Sequence, residues 1–332
     1  MEYSYTKKSI MRAISENSRT SITELAKEAK CSRNTALNNL KALERTFGLI
    51  HTLEFDSEVL GLTQNHVILA KFEGITNTHK IKQAFKDDDR IQFVAITEGD
   101  FKLLFIVFAS SGPEYMKWET SISRKLAEYE PVIDPSQIVT SHIGFIPMLS
   151  ESLERIDLTR FGLDEIDKKI LLILNSNSRA DYSDIAAKLG ITHDKARYRF
   201  QKIKETGIIK KFTTIASKAC ADSANAFFVK YKFRERLESR MKKAREYIMQ
   251  EEDKLMILNK FHIVAPISGS YRTFILTSVE NPDDFKVTYE NIFKDDAPQV
   301  LSARIKEVVK GHMPIRNLNF KANYKIINWE EY

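Results

Sequence analysis

Apolar residues recur at helical spacing in three short runs near the start of the chain, and the same three runs return about 160 residues later. In the later set, Ile166, Ile170, Ile173 and Leu174 predict one face of a helix that begins behind Asp164. Asn177-Ser178-Arg179 breaks it. Asp181-Tyr182-Ser183-Asp184 opens a second helix through Ile185 and Leu189, which Gly190 stops. Thr192 caps a third with Ala196, Phe200 and Ile203 facing inward, and Gly207 ends it. In the earlier set, Ser21-Ile22-Thr23-Glu24 has capping-box spacing, and Ser32 precedes a helix with Ala36, Leu40 and Leu43 inward. Two short helices joined tightly, the second polar on its outer face, predict a helix-turn-helix in each set.

Residues 8–46 align on residues 168–206 without a gap, at an offset of 160. Lys8, Ile10, Asn17, Ser18, Arg19, Ala26, Ala36 and Thr46 meet Lys168, Ile170, Asn177, Ser178, Arg179, Ala186, Ala196 and Thr206. After Phe47 the offset falls to 159, so that Gly48-Leu49-Ile50 meets Gly207-Ile208-Ile209. A second kind of pattern follows each set. Strands are predicted at residues 66–72, 91–97, 101–109 and 138–146, with helices at 78–85 and 113–129. The later half repeats it with strands at 226–233, 255–264, 271–279 and 301–309 and helices at 237–249 and 282–293. The order is that of a ferredoxin-like βαββαβ module. The fold class is α+β, a tandem repeat of a winged, three-helix helix-turn-helix and a ferredoxin-like module. The expected boundaries are 1–52, 53–150, 151–212 and 213–332, with the polar stretch 151–161 as linker and the cut near Leu153.

Composition narrows the classes. Hydrophobic residues make up 43% and charged residues 29% of 332, enough apolar content to build packed cores. Two cysteines, Cys31 and Cys220, form no framework, and no apolar run approaches spanning length. With an N-terminus lacking an apolar leader, a cytoplasmic protein without membrane contact is expected. The seven histidines lack metal-ligand spacing and no Gly-rich phosphate loop is present, so no metal and no cofactor are expected. The net charge of +6 is compatible with a polyanionic partner.

The run from Leu163 to Leu171, the run from Tyr182 to Thr192, and Glu205-Thr206-Gly207-Ile208-Ile209-Lys210 resemble the DNA-binding domain of the Lrp/AsnC (feast/famine) transcription regulators. The resemblance covers nearly the whole chain, twice, although members commonly carry one copy and associate through the α+β modules, called RAM domains. It implies a sequence-specific regulator bound to double-stranded DNA, a homodimer or higher homo-oligomer, and a small-molecule effector. Family members often have Gly, a variable residue, an aromatic and Asp between the second and third RAM strands. The matching positions are Gly99-Asp100-Phe101-Lys102 and Gly269-Ser270-Tyr271-Arg272, basic where the family is acidic. Gly99, Asp100, Phe101, Gly269, Ser270 and Tyr271 are therefore the effector candidates.

A helix fits the major groove, and its polar side chains reach base edges and phosphates. Residues 193–211 carry Lys195, Arg197, Arg199, Lys202, Lys204, Lys210 and Lys211 against Asp194 and Glu205, a local net of +5 that suits phosphate neutralisation. His193, Lys195, Tyr198 and Arg199 are the base-reading candidates behind Thr192. In the first copy the outer face offers Ser32, Arg33, Asn34, Thr35, Asn38, Asn39 and Lys41, less charged and rich in asparagine, which pairs bidentately with adenine. Two rival readings remain. Sirohaem decarboxylases resemble the same family, and His66, His142, Arg272 and Arg304 are the residues that would face a tetrapyrrole carboxylate. A DNA-organising protein of low specificity is the other.

Overall fold

The computed structural model describes residues 5–74, 77–139, 146–216, 224–230, 261–277, 283, 286–287 and 299–314. The expected helices at 237–249 and 282–293 lie wholly or largely outside them. Each helix-turn-helix forms where the caps predict. The first comprises α1 (Tyr5–Glu16), α2 (Ile22–Glu28) and α3 (Arg33–Phe47). Ser21 and Glu24 close the capping box of α2, Ser32 caps α3, and Gly48 ends α3 in the left-handed region at φ 55°. Ile10, Ile14, Leu25, Ala36, Leu40 and Leu43 pack into its core. A wing strand follows, β1 (Ile50–Phe55).

The first RAM-like module contains β2 (Gln64–Lys71), α4 (Thr78–Phe85), β3 (Ile91–Gly99), β4 (Leu103–Ala109), α5 (Gly112–Lys125) and β5 (Val132–Ile138). A 3-10 turn, Ala127–Tyr129, ends the long helix, which the sequence carries to residue 129 as a single piece. Trp118 on α5 is buried and its indole donates to Asp88 at 3.0 Å. The closing strand lies several residues before the expected 138–146, because Pro135 disguises it: proline cannot donate to a ladder. Here Pro135 pairs with Ile68 of β2 just before the part of β5 that gains a second neighbour, so the missing N–H is tolerated.

Residues 150–161 are not a solvated linker. Ser150–Glu154 form the short helix α6, with Ser152 and Leu153 buried. Gln92 holds this segment from both ends of its amide, donating to Ser152 Oγ at 2.6 Å and accepting from Leu149 N at 3.0 Å. The second helix-turn-helix then runs through α7 (Glu165–Ser176), α8 (Tyr182–Leu189), α9 (His193–Glu205) and its wing β6 (Ile209–Ala216). The second RAM-like module is described through β7 (Asn225–Lys230), β8 (Phe261–Gly269), β9 (Thr273–Thr277) and β10 (Gln299–Lys310), followed by a short β11 (Met313–Pro314).

The two RAM-like sheets join edge to edge into one closed barrel, ordered β10-β3-β4-β2-β5-β8-β9-β7. Closure removes the edges that an open sheet must protect. It also explains strands that are apolar on both faces. Leu104, Ile106 and Phe108 of β4 belong to the core that includes the barrel interior, while Leu103, Phe105 and Val107 lie with Trp118 and Phe85 beneath α4 and α5. The joints are equivalent: Ser136 faces Gly269 where β5 meets β8, and Ala303 faces Gly99 where β10 meets β3. Backbones approach so closely there that a Cβ on Gly269 would sit 2.6 Å from Ser136 Oγ, and one on Gly99 2.5 Å from Ser302 O. The two RAM-like modules thus pair with each other within one chain.

Candidate nucleic-acid interface

The two helix-turn-helix domains are held together by contacts that repeat each other about a pseudo-two-fold axis. Strand β1 pairs antiparallel with β6, placing Thr52 opposite Thr213. Hydrogen bonds on either side are reciprocal: Ser18 N donates to Phe212 O at 3.1 Å, and Ser178 N to His51 O at 2.9 Å. Thr213 Oγ1 donates to Ser15 O at 2.8 Å, and Thr52 Oγ1 to Asn175 O at 2.7 Å. On the axis, the buried hydroxyls of Ser18 and Ser178 meet at 2.6 Å. Arg19 donates to the carbonyls of Ser178 and Ala180 at 2.8 and 3.0 Å, and Arg179 donates to Ser18 O. Arg19 also lies over the Phe200 ring, 5.1 Å from its centroid. The sequence carries this joint as the Asn-Ser-Arg triplet, which both breaks a helix and recurs among the identities of the repeat. Identical residues at a break mark a self-complementary joint, since both sides of a two-fold contact use the same patch.

The axis places α3 and α9 in equivalent positions. Their inward residues correspond in kind: Ala36 with Ala196, Leu40 with Phe200, Leu43 with Ile203, all buried. On α3, Arg33, Asn34, Thr35, Asn38 and Lys41 are exposed. Ser32 is the cap, its hydroxyl accepting from Thr35 N at 3.1 Å, and Asn39 is turned back onto Thr35 O at 2.9 Å. On α9, Thr192 is the cap, accepting from Lys195 N at 3.3 Å, while His193, Lys195, Arg197 and Tyr198 are exposed, Tyr198 by 71%.

Not all of the basic stripe faces outward. Arg199 is drawn to the start of α7, where its guanidinium reaches Asp164 at 2.7 Å and Asp167 at 2.8 Å. Lys202 donates to Asp167 at 3.1 Å and to Gly162 O. Asp167 is completely buried and closes the α7 capping box, so this cluster ties α9 to the first helix of its domain. Hydrogen bonds from Arg199 hold the Asp164 carboxyl down to about 2. Lys210 pairs across the wings with Glu54 at 3.2 Å, and Lys211 is half-buried. The expected charge of +5 counts three cations that already have anionic partners.

The effector candidates belong to the joints of the barrel. Phe101 and Tyr271 are buried against Phe228, each ring centroid 5.5 Å from it. The Asp100 carboxylate accepts from Ser302 N at 2.8 Å and its N–H donates to Ser302 O at 2.9 Å. Gly99 and Gly269 allow the close strand approach described above, and Ser270 is exposed at the turn. A separate cleft of about 640 Å³ opens between the wings and the first RAM-like sheet, lined by Glu54, Asp56, Glu58, Asn65, Phe108 and Lys210 among others. Its formal charge is acidic. His66 is buried and stacked on Tyr115 at 3.8 Å, its imidazole held below the usual value by burial. Arg272 and Arg304 are exposed, and His142 lies outside the described residues. No described helix is long and apolar enough to cross a membrane.

Residues 163–204 match the family model of the AsnC-type helix-turn-helix domain, and residues 4–46 match that of a winged helix-turn-helix DNA-binding domain. The chain is similar to the helix-turn-helix-type transcriptional regulator FL11 of Pyrococcus horikoshii, 43% identical over 56 residues, which are 17% of this chain and 37% of the relative. It is likewise similar to the regulator LysM of Sulfurisphaera tokodaii, 45% identical over 51 residues, 15% of this chain and 36% of the relative. The chain thus spans little more than a third of the length of these relatives. Among solved structures, the siroheme decarboxylase NirDL has the same fold over its full length, with a TM-score of 0.56, 14% identity, and coverage of 99% of this chain and 100% of that one.

Proposed function

We propose that this chain is a DNA-binding transcriptional regulator of the Lrp/AsnC type, whose tandem helix-turn-helix domains let a single chain do the work of a regulator dimer. One observation carries the reading. The reciprocal contacts around Ser18 and Ser178 relate two recognition helices by a two-fold axis, and both keep their polar outer faces uncovered by the described residues. A two-fold relation between recognition helices is what lets helix-turn-helix pairs address two half-sites on a duplex. The base-reading set is Asn34, Thr35 and Asn38 on α3 and His193, Lys195 and Tyr198 on α9. Arg33, Lys41, Arg45, Arg197, Lys204 and Lys211 neutralise phosphate, and the Lys195 ammonium adds its charge to theirs. Arg199, Lys202 and Lys210 leave the proposed set because carboxylates already hold them.

Binding competition at fixed salt between selected and random duplexes tests this. A specificity ratio of at least about 10³ is expected of a regulator. A ratio near one would instead fit a DNA-organising protein. In light scattering a single chain suffices for the pseudo-dimer, and further association through the outer surfaces of the barrel would appear as a multiple of the chain mass.

The likeness to NirDL keeps an enzyme reading in view, with a tetrapyrrole as the ligand class. The acidic cleft and the stacked, buried His66 are poorly suited to a polycarboxylate. Titration with an iron porphyrin carrying several carboxylates decides it: a shifted Soret band at stoichiometric binding would support the enzyme, and an unshifted one would leave the regulator.

A further inference from the structure

We propose that the chain reads DNA in one orientation, on a non-palindromic site whose two unlike halves match its two unlike recognition helices. The proposal rests on the DNA-binding reading above. A homodimer presents identical chemistry to both half-sites, which is why its operators are palindromic. A covalent pair is free of that constraint, and this one departs from it at the outward positions while keeping the inward ones.

Under the alignment that brings Leu40 onto Phe200, Thr35 meets Lys195, Asn38 meets Tyr198 and Arg45 meets Glu205. All six are exposed. A hydroxyl that donates and accepts stands opposite an ammonium that only donates. The Asn38 amide offers the paired donor and acceptor that fit the adenine edge, whereas the Tyr198 phenol offers one hydroxyl on an apolar ring. Arg45 attracts a phosphate where Glu205 repels one. No single half-site sequence can satisfy both surfaces.

Nor is α3 structured as an idle remnant. Its Ser32 cap and Gly48 stop are intact, and Asn34 and Asn38 have no side-chain hydrogen bond among the described residues. Two amides are left exposed on the face that a duplex would meet. Because the joint between the domains is symmetric and the readers are not, bound DNA acquires a direction relative to the rest of the chain.

The experiment has three arms on the whole 332-residue chain. Fragments selected from random DNA should be enriched in one motif with two different halves, spaced by about one helical turn or a multiple of it. A chelated-iron cleavage reagent is then attached to Cys31, which lies beside the start of α3, in a Cys220→Ser chain. It should cut the selected site in one half only. Asn38→Ala should relax base preference about tenfold within that half, and Tyr198→Ala should alter only the other. Both substitutions are on exposed helix positions, and this third arm does not depend on tolerance of the label. A palindromic motif, cuts of equal strength in both halves, or a single-half motif indifferent to Asn38→Ala each overturns the proposal and leaves the regulator intact. Failure to enrich any sequence overturns the DNA reading and this proposal together.

Discussion

The response of DNA affinity to salt separates the charge written in the sequence from the charge the fold leaves available. Residues 193–211 contain seven basic side chains and the first recognition helix supplies Arg33, Lys41 and Arg45, ten cations in all. If each met a phosphate, log affinity would fall against log salt with a slope of about −9. The structure removes three. Arg199 and Lys202 are held by Asp164 and Asp167, and Lys210 by Glu54. The seven others have no ion-pair partner among the described residues, and seven phosphates give a slope of about −6. Raising salt from about 50 to 200 mM is then expected to weaken binding by roughly 10³ to 10⁴-fold. Fluorescence anisotropy on a short duplex, titrated at four or five salt concentrations, reads the slope directly. The triple variant Arg199→Gln, Lys202→Gln, Lys210→Gln should leave it unchanged, while Arg197→Ala with Lys195→Ala should lower it by about two units. A wild-type slope near −9, reduced by the triple variant, would refute the argument that these ion pairs persist on DNA. A flat response would refute electrostatic binding altogether.

Three further outcomes follow from the same contacts. Asp167→Ala removes a buried carboxylate that accepts from Arg199, Lys202 and the Asp164 backbone, and should destabilise the second helix-turn-helix by about 2–4 kcal/mol in urea unfolding; a loss below about 0.5 kcal/mol would show the cluster to be idle. Ser18→Ala or Ser178→Ala alone strands the other hydroxyl in the joint and should cost about 1–3 kcal/mol, yet the double variant should cost less than the two together, and simple additivity would argue against a shared hydrogen bond. Burial is the main influence on His51, outweighing its bond to Glu44 and holding the imidazole below its ordinary 6.5. The folded state therefore resists protonation that the unfolded chain accepts. This contribution is intact above pH 6.5 and is lost as pH falls from there toward the lowered folded value. His51→Gln should flatten that part of a melting-temperature profile, and an unchanged profile would place the pH dependence elsewhere.

What the sequence determined by itself was local. Caps at Ser21, Ser32, Asp164 and Thr192, stops at Gly48, Gly190 and Gly207, and 3.6-residue periodicity placed both helix-turn-helix units, because each signal acts within a turn or two of chain. The internal repeat added the order of the modules. Tertiary structure decided how those modules meet. The wing pairing of Thr52 with Thr213, the serine contact on the axis and the barrel joints at Gly99 and Gly269 link residues well over a hundred positions apart. Strands apolar on both faces required only that something cover them, and either the same chain or a second copy would have met that requirement. Arg199 shows the same limit at the site itself. As a letter it is one more cation on a basic helix. Only the fold brings the buried Asp167 under it, and burial turns a surface charge into a strut between two helices.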